Sequence, residues 1–132
     1  MAGRLSGAII TLLLTTQSAM ALPALRDVPE VRDGIVYVGI AYEISKICEE
    51  LSPRYLRGAM FLRSLKTRAR DMGYSEAEID AFVDSRDEQK FLERLARDLL
   101  ARMGAVEGEP ETYCAVGRGQ ISQNTRIGWM LR

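Results

Sequence analysis

From Val31 to the end of the chain, apolar residues recur at spacings of three and four, and the interruptions carry residues that start or stop helices. That period stacks side chains on one face of an α-helix and is incompatible with the two-residue alternation of a half-buried strand. In the first segment Val36, Ile40, Ile44, Ile47 and Leu51 fall on one face, predicting a helix over residues 31–51. Its stretch "GIVYVGIAY" also suits a strand, being rich in β-branched residues and holding two glycines. Length decides for helix, since continuous apolar strands usually stop at about eight residues.

The punctuation is as informative as the period. Ser52 followed by Pro53 reads as an N-cap and a first-turn proline, and Gly73 after Met72 as a left-handed terminus, bounding a second helix. On it Tyr55, Gly58, Leu62, Leu65, Ala69 and Met72 form the expected core stripe, with Leu56 and Met60 on the opposite side. "SEAE", Ser75 to Glu78, and "SRDE", Ser85 to Glu88, are two capping boxes, the first with Tyr74 and Ile79 placed for a hydrophobic staple. They open a short third helix over residues 76–83 and a fourth with Phe91, Leu92, Leu95, Leu99 and Met103 on its buried face, ended by Gly104. Pro110 opens a fifth helix carrying Tyr113, Cys114 and Ile121. Gly117 and Gly119 each weaken it by about 1 kcal/mol relative to alanine unless they serve close approach of helix backbones. Ile127, Trp129, Met130 and Leu131 make a last short element. The expected fold is all-α, a small bundle of about five helices.

The N-terminus sets the compartment. Arg4, an apolar run over residues 8–14 and then "AMA", Ala19 to Ala21, have the layout of a cleavable secretory signal, with the cut expected after Ala21. The rival is an uncleaved anchor, because residues 5–25 carry no charge and are long enough to span a bilayer. Polar Thr15, Thr16, Gln17 and Ser18, with Pro23 beyond, argue against it. The expected organisation is a signal peptide over residues 1–21 and a single helical domain over residues 22–132, located in the periplasm or secreted, with no stable membrane insertion after cleavage. Removing Arg4 from 18 basic residues leaves 17 against 18 acidic ones, a net charge of −1 that favours neither nucleic acid nor an anionic membrane.

Export decides how the cysteines are read. "ETYCAVGRGQIS" puts Cys114 beside a Gly-x-Gly, but a dinucleotide loop needs a preceding strand, a helix start and a third glycine or alanine where Ser122 stands. A catalytic thiol normally wants a histidine base, and the chain has no histidine. Two cysteines in an oxidising compartment pair, so Cys48 and Cys114 are expected to form one disulfide. A metal site would then rest on carboxylates alone, and no calcium-loop pattern is present; neither metal nor cofactor is expected. Glu49 with Glu50, or Asp84 with Asp87, supplies carboxylate pairs of the kind glycoside hydrolases use, but they fall at helix ends where acids are ordinary.

Charge segregation is the remaining feature. Residues 51–70 hold six basic residues and no acid, and residues 71–88 hold seven acids and only Arg86. Neighbouring helices exchanging surface charge would account for this. The functional alternative is a partner surface on the second helix made of Arg54, Leu56, Arg57, Met60, Arg63 and Lys66, meeting a protein of the cell envelope.

The stretches "LRDVPEVRDGIVYVGIAYEISKIC", "SPRYLRGAMFLRSLKTRARDMGYSEAEID", "ETYCAVG" and "IGWMLR" together resemble an uncharacterised family of small exported alphaproteobacterial proteins, domain of unknown function 5333. The resemblance covers residues 22–132, includes both cysteines, and implies one exported unit with no activity or ligand to carry over. The expected function is a non-enzymatic interaction or assembly protein of the envelope. The alternatives are a small periplasmic chaperone, by fold-level analogy with disulfide-bearing helical acid-stress chaperones, and a carboxylate-dependent hydrolase.

Overall fold

The computed structural model describes residues 20–132, all of it helix and connection apart from two isolated backbone bridges. The expected signal peptide lies outside the described residues except for Met20 and Ala21. After a 3-10 turn at Leu25–Asp27 come α1 (Pro29–Ile47), α2 (Tyr55–Asp71), α3 (Glu76–Asp84), α4 (Arg86–Arg102), α5 (Pro110–Ser122) and the four-residue α6 (Arg126–Trp129). Among these residues no helix is long and apolar enough to cross a membrane.

The ambiguous first segment is the central helix. α1 packs against α2, α4, α5, α6 and the 3-10 turn, so Ile40 and Ile44 are wholly enclosed. This explains why its sequence is apolar beyond a single stripe. It starts at Pro29, whose missing N–H costs nothing at the first position, and stops at Ile47 rather than Leu51. Cys48 is already extended at its C-cap, and Leu51 joins the core from the following turn.

The Ser75 box and the Gly73 and Gly104 stops fold as read, and the Ser85 box forms one arm of two. Ser75 Oγ accepts from the Glu78 amide at 3.2 Å while the Glu78 carboxylate accepts from the Ser75 amide at 2.7 Å, closing the box on α3. Tyr74 and Ile79 are both buried beneath it. Ser85 caps α4 by accepting from the Glu88 amide at 3.3 Å, but the return arm is absent. The Glu88 carboxylate is taken instead by Arg26, 2.8 Å away, which also lies 4.4 Å from the Phe91 ring centroid. Gly73 and Gly104 end α2 and α4 at φ +103° and +109°, values that other L-residues rarely adopt.

The start of α2 differs from expectation. Ser52 and Pro53 do not cap it; they lie in an extended segment paired with the C-terminus. The Ser52 amide donates to the Arg132 carbonyl (2.7 Å), the Arg132 amide donates back (3.0 Å), and the Arg54 amide donates to the Met130 carbonyl (2.7 Å). The helix begins only at Tyr55, without a side-chain cap.

The core stripes are also rotated. On α2 the inward residues are Leu65 and Ala69 with Phe61 half-buried, while Tyr55 and Leu62 are exposed. On α4 the centre is Leu92, Ala96 and Leu100, flanked by half-buried Phe91, Leu95 and Leu99. Ile121 is on the exposed side of α5, whose buried residues are Cys114, Val116 and Gly117. Cys48 and Cys114 are disulfide-bonded with Cα atoms 5.2 Å apart, tying the end of α1 to α5 across 66 residues of sequence.

Candidate functional site

α2 packs only on α1 and α3 among the longer helices, which leaves most of its circumference open. The six basic residues of this region are therefore sorted by what lies beside them. On one flank Lys66 Nζ reaches Asp80 (3.1 Å) and Glu76 (3.3 Å) of α3, and Arg70 also pairs with Glu76. The hydrogen bond to Asp80, then that to Glu76, holds the Lys66 ammonium above its ordinary value, and Arg70 with Lys66 holds Glu76 below the carboxylate range. On the other flank Arg68 meets Glu30 of α1 at 3.0 Å. Surface pairs of this kind contribute little each, but they account for the segregation of charge along the sequence.

Arg54 and Arg57 hold the C-terminal segment. Arg54 Nε donates to the Leu131 carbonyl (2.9 Å) and Arg57 Nη1 to the Trp129 carbonyl (3.0 Å), with the Arg57 guanidinium 5.0 Å from the Trp129 ring centroid. The same indole has Arg126 at 5.1 Å, and Arg126 lies 4.8 Å from Phe61. Two arginines and two aromatic rings thus join α2 to α6. Arg126 and Trp129 are three residues apart on one short helix, an arrangement that sequence reading did not single out.

What remains on the outer face of α2 is apolar with one cation. Leu56 is 75% exposed and Met60 55%, outside both core clusters, and Tyr55 beside them is 74% exposed. Trp129, Met130 and Leu131 do not cover this strip. Arg63 makes no ion pair or side-chain hydrogen bond among the described residues. Of the six residues expected to form a partner surface, Leu56, Met60 and Arg63 are presented outward, while Arg54, Arg57 and Lys66 are engaged within the chain.

Two grooves flank α1. One of about 890 Å³ runs between α1 and α2, floored by Gly34 and Leu65 and walled by Tyr37, Met60, Phe61 and Arg126. Gly34 allows the two helices this approach: a Cβ would come within 2.7 Å of both Leu65 methyl carbons and force that side chain to shift. The other, about 590 Å³, runs between α1 and α4 and is lined by Val38, Tyr42, Leu62 and Leu92. It was hidden from the sequence because Leu62 reads as core.

The remaining candidates fall as follows. Residues 117–122 lie inside α5, where backbone amides serve the helix ladder and cannot cradle a phosphate. Glu49, Glu50, Asp84 and Asp87 are all exposed, and Glu50 pairs with Arg118 at 2.9 Å. Glu50 also comes within 4.8 Å of both cysteine sulfurs, but bonded sulfurs are not thiolates and offer a metal no ligand charge.

No curated protein and no solved structure matches the chain. A family model matches residues 23–132, which is nearly all that the structure describes, and the chain belongs to that family of unknown function, DUF5333.

Proposed function

We propose that the protein is exported to the periplasm or secreted and acts there by binding, as an interaction or assembly protein whose contact surface is the outer face of α2. The observation that carries this reading is the exposure of Leu56 and Met60, side by side on a helix that packs on one side only. Large apolar side chains presented together beside a cation are the composition of a protein-docking patch. Export is supported by the leader pattern, by a family match that begins at residue 23, just past Ala21, and by a buried disulfide of the kind oxidising compartments maintain. The carboxyl groups whose acidity is shifted, Glu76 and Glu78, are both held low by hydrogen bonds, the opposite of a general acid.

Affinity capture from envelope extract tests the reading. Leu56→Asp with Met60→Asp leaves both core clusters untouched, so the melting free energy stays within about 0.5 kcal/mol of wild type. Partners captured by the wild-type protein are lost. An unchanged set of partners, or an unfolded double variant, removes the surface from consideration.

A second reading, a chaperone that binds apolar segments transiently, is favoured by the apolar groove between α1 and α4. Dye binding that rises on mild acidification, and suppression of aggregation by the protein, would select it over the α2 surface.

A further inference from the structure

We propose that the groove between α1 and α2 receives an extended segment of the partner, with a carboxylate of that segment on Arg126 and an apolar side chain against Phe61 and Tyr37. This rests on the reading that the protein works by binding a partner at α2, and it names the partner's chemistry. Met60 belongs to both surfaces, since it is exposed on the outer face of α2 and also walls the groove. A chain docked on the outer face therefore reaches the groove over Met60.

The charge distribution selects a carboxylate. Arg126 is exposed, and among the described residues its side chain makes no ion pair and no hydrogen bond, although it lies over two aromatic rings. Rings occupy the face of a guanidinium and leave its N–H edge, which accepts planar anions two donors at a time. Stacking also fixes the group before any ligand arrives, so less freedom is lost on binding. Of the three cations that line this groove, Arg68 pairs with Glu30, which leaves Arg63 as the second without an acidic partner among the described residues. At the opposite end stand Glu30, Asp33 and Asp71. Glu30 is taken by Arg68 and Asp33 by Arg32 at 2.7 Å, while Asp71 adds negative charge there. The groove is thus cationic and aromatic at the Phe61 end and acidic at the Asp71 end. Phe61 to Asp71 is about 15 Å of helix, the reach of four or five extended residues. The fitting segment carries one carboxylate at one end, apolar residues after it, and no second acid within that length.

Trp129 is the only tryptophan of the chain and lies beside Arg126, so its emission reports directly on the site. The test is titration of the oxidised protein, residues 22–132, with the peptide acetyl-Lys-Leu-Ala-Leu-Glu-amide and with its Gln counterpart, by Trp129 emission and by calorimetry. The expected result is saturable binding, about tenfold tighter for the Glu peptide, weakening between 50 and 500 mM salt. Arg126→Gln abolishes the preference for Glu over Gln, Arg63→Gln reduces it, and Arg126→Lys retains only part of it, each with wild-type helix content. Equal affinity for the two peptides, no saturable binding, or a preference that survives Arg126→Gln overturns the proposal. Leu56 does not line the groove, so Leu56→Asp separates the two ideas. A captured partner lost with Leu56→Asp but kept with Arg126→Gln overturns the groove assignment alone. A partner indifferent to Leu56→Asp overturns the α2 reading.

Discussion

Two glycines separated by one residue on α5 respond to alanine in opposite directions. Gly117 lies three residues after Cys114 and shares its buried face, where the disulfide draws α5 against the end of α1. A Cβ built at Gly117 would lie 2.3 Å from Leu51 Cδ1, 2.9 Å from Ile44 Cγ2 and 3.7 Å from Leu131 Cδ1. Carbon atoms pack at roughly 3.5 to 4.0 Å, so Leu51 must retreat by more than 1 Å. It has little room to do so, since Ile44 and Leu131 beside it are fully enclosed and Leu51 itself is buried. Forcing one extra carbon into such a core typically costs about 1 to 3 kcal/mol. Replacing glycine within a helix returns about 1 kcal/mol. With two carbons closer than 3.0 Å the overpacking falls in the upper half of that range, so Gly117→Ala is expected to lose about 1 to 2 kcal/mol net, a drop of roughly 4 to 8 °C in melting temperature for a chain of this size. At Gly119 the same Cβ meets only the end of the Gln123 side chain, at 3.9 Å. Gly119→Ala keeps the propensity gain and rises by about 0.5 to 1 kcal/mol. Urea and thermal melts followed by helix circular dichroism, with the disulfide intact in all three proteins, read both signs. A Gly117→Ala protein as stable as wild type, or two shifts of the same sign, would refute the close approach of α5 to α1.

Three further outcomes follow from the same contacts. Cys48→Ser or Cys114→Ser releases a loop of 66 residues and costs about 4 kcal/mol in the chain-entropy treatment, the double substitution costs no more than either single one, and thiol titration of the unfolded, unreduced protein reads zero. Gly128→Ala places a Cβ 2.1 Å from the Gln120 carbonyl oxygen and 2.5 Å from the Ile121 nitrogen; backbone cannot rotate away as a leucine can, so the loss exceeds that of Gly117→Ala and Trp129 emission shifts with the displaced α6. The Ser75 amide, with the Ser75 hydroxyl, holds Glu78 below the ordinary carboxylate value of about 4.5, and Arg70 does the same for Glu76. A depressed folded-state value means stabilisation that is present above about pH 4.5 and lost as pH falls through the folded-state values, so Glu78→Gln flattens part of the fall in melting temperature between pH 6 and pH 3.

Which features were legible follows from how far apart their partners lie in the chain. The Ser75 box, the Gly73 and Gly104 stops and the Pro110 start are complete within four residues, and all fold as the sequence reads. Ser52–Pro53 has an equally good local signature, but its backbone is taken by residues 130–132 at the far end of the chain. Ser85 shows the intermediate case, in which the local arm forms and a distant arginine, Arg26, takes the other. The stripes were misplaced for a different reason. Reading by hydrophobicity ranks large residues first, whereas helix crossings are set by the smallest ones: Gly39 beside Ala96, Gly34 beside Leu65, Gly117 beside Ile44. Each crossing turns the large residues to its margins, which is why Phe91, Leu95 and Leu99 flank Ala96.

The candidate site divides along the same line. Six cations in twenty residues look like one patch in the sequence, yet charge that finds a partner within the chain has little left to offer a second molecule. Lys66, Arg68 and Arg70 meet acids from α3 and α1, and Arg54 and Arg57 hold the last residues of the chain. The residual cations are Arg63, which belongs to the original patch, and Arg126, which lies more than sixty residues later in the sequence and is presented by a four-residue helix. The antiparallel bridge at Pro53 and Leu131, with the Arg54 and Arg57 hydrogen bonds to the Leu131 and Trp129 carbonyls, brings α6 alongside α2 and gives these two arginines one groove. Met130 and Leu131 are themselves buried against α1, so displacing them should weaken carboxylate binding and stability together, which makes the C-terminal residues part of both the core and the proposed site.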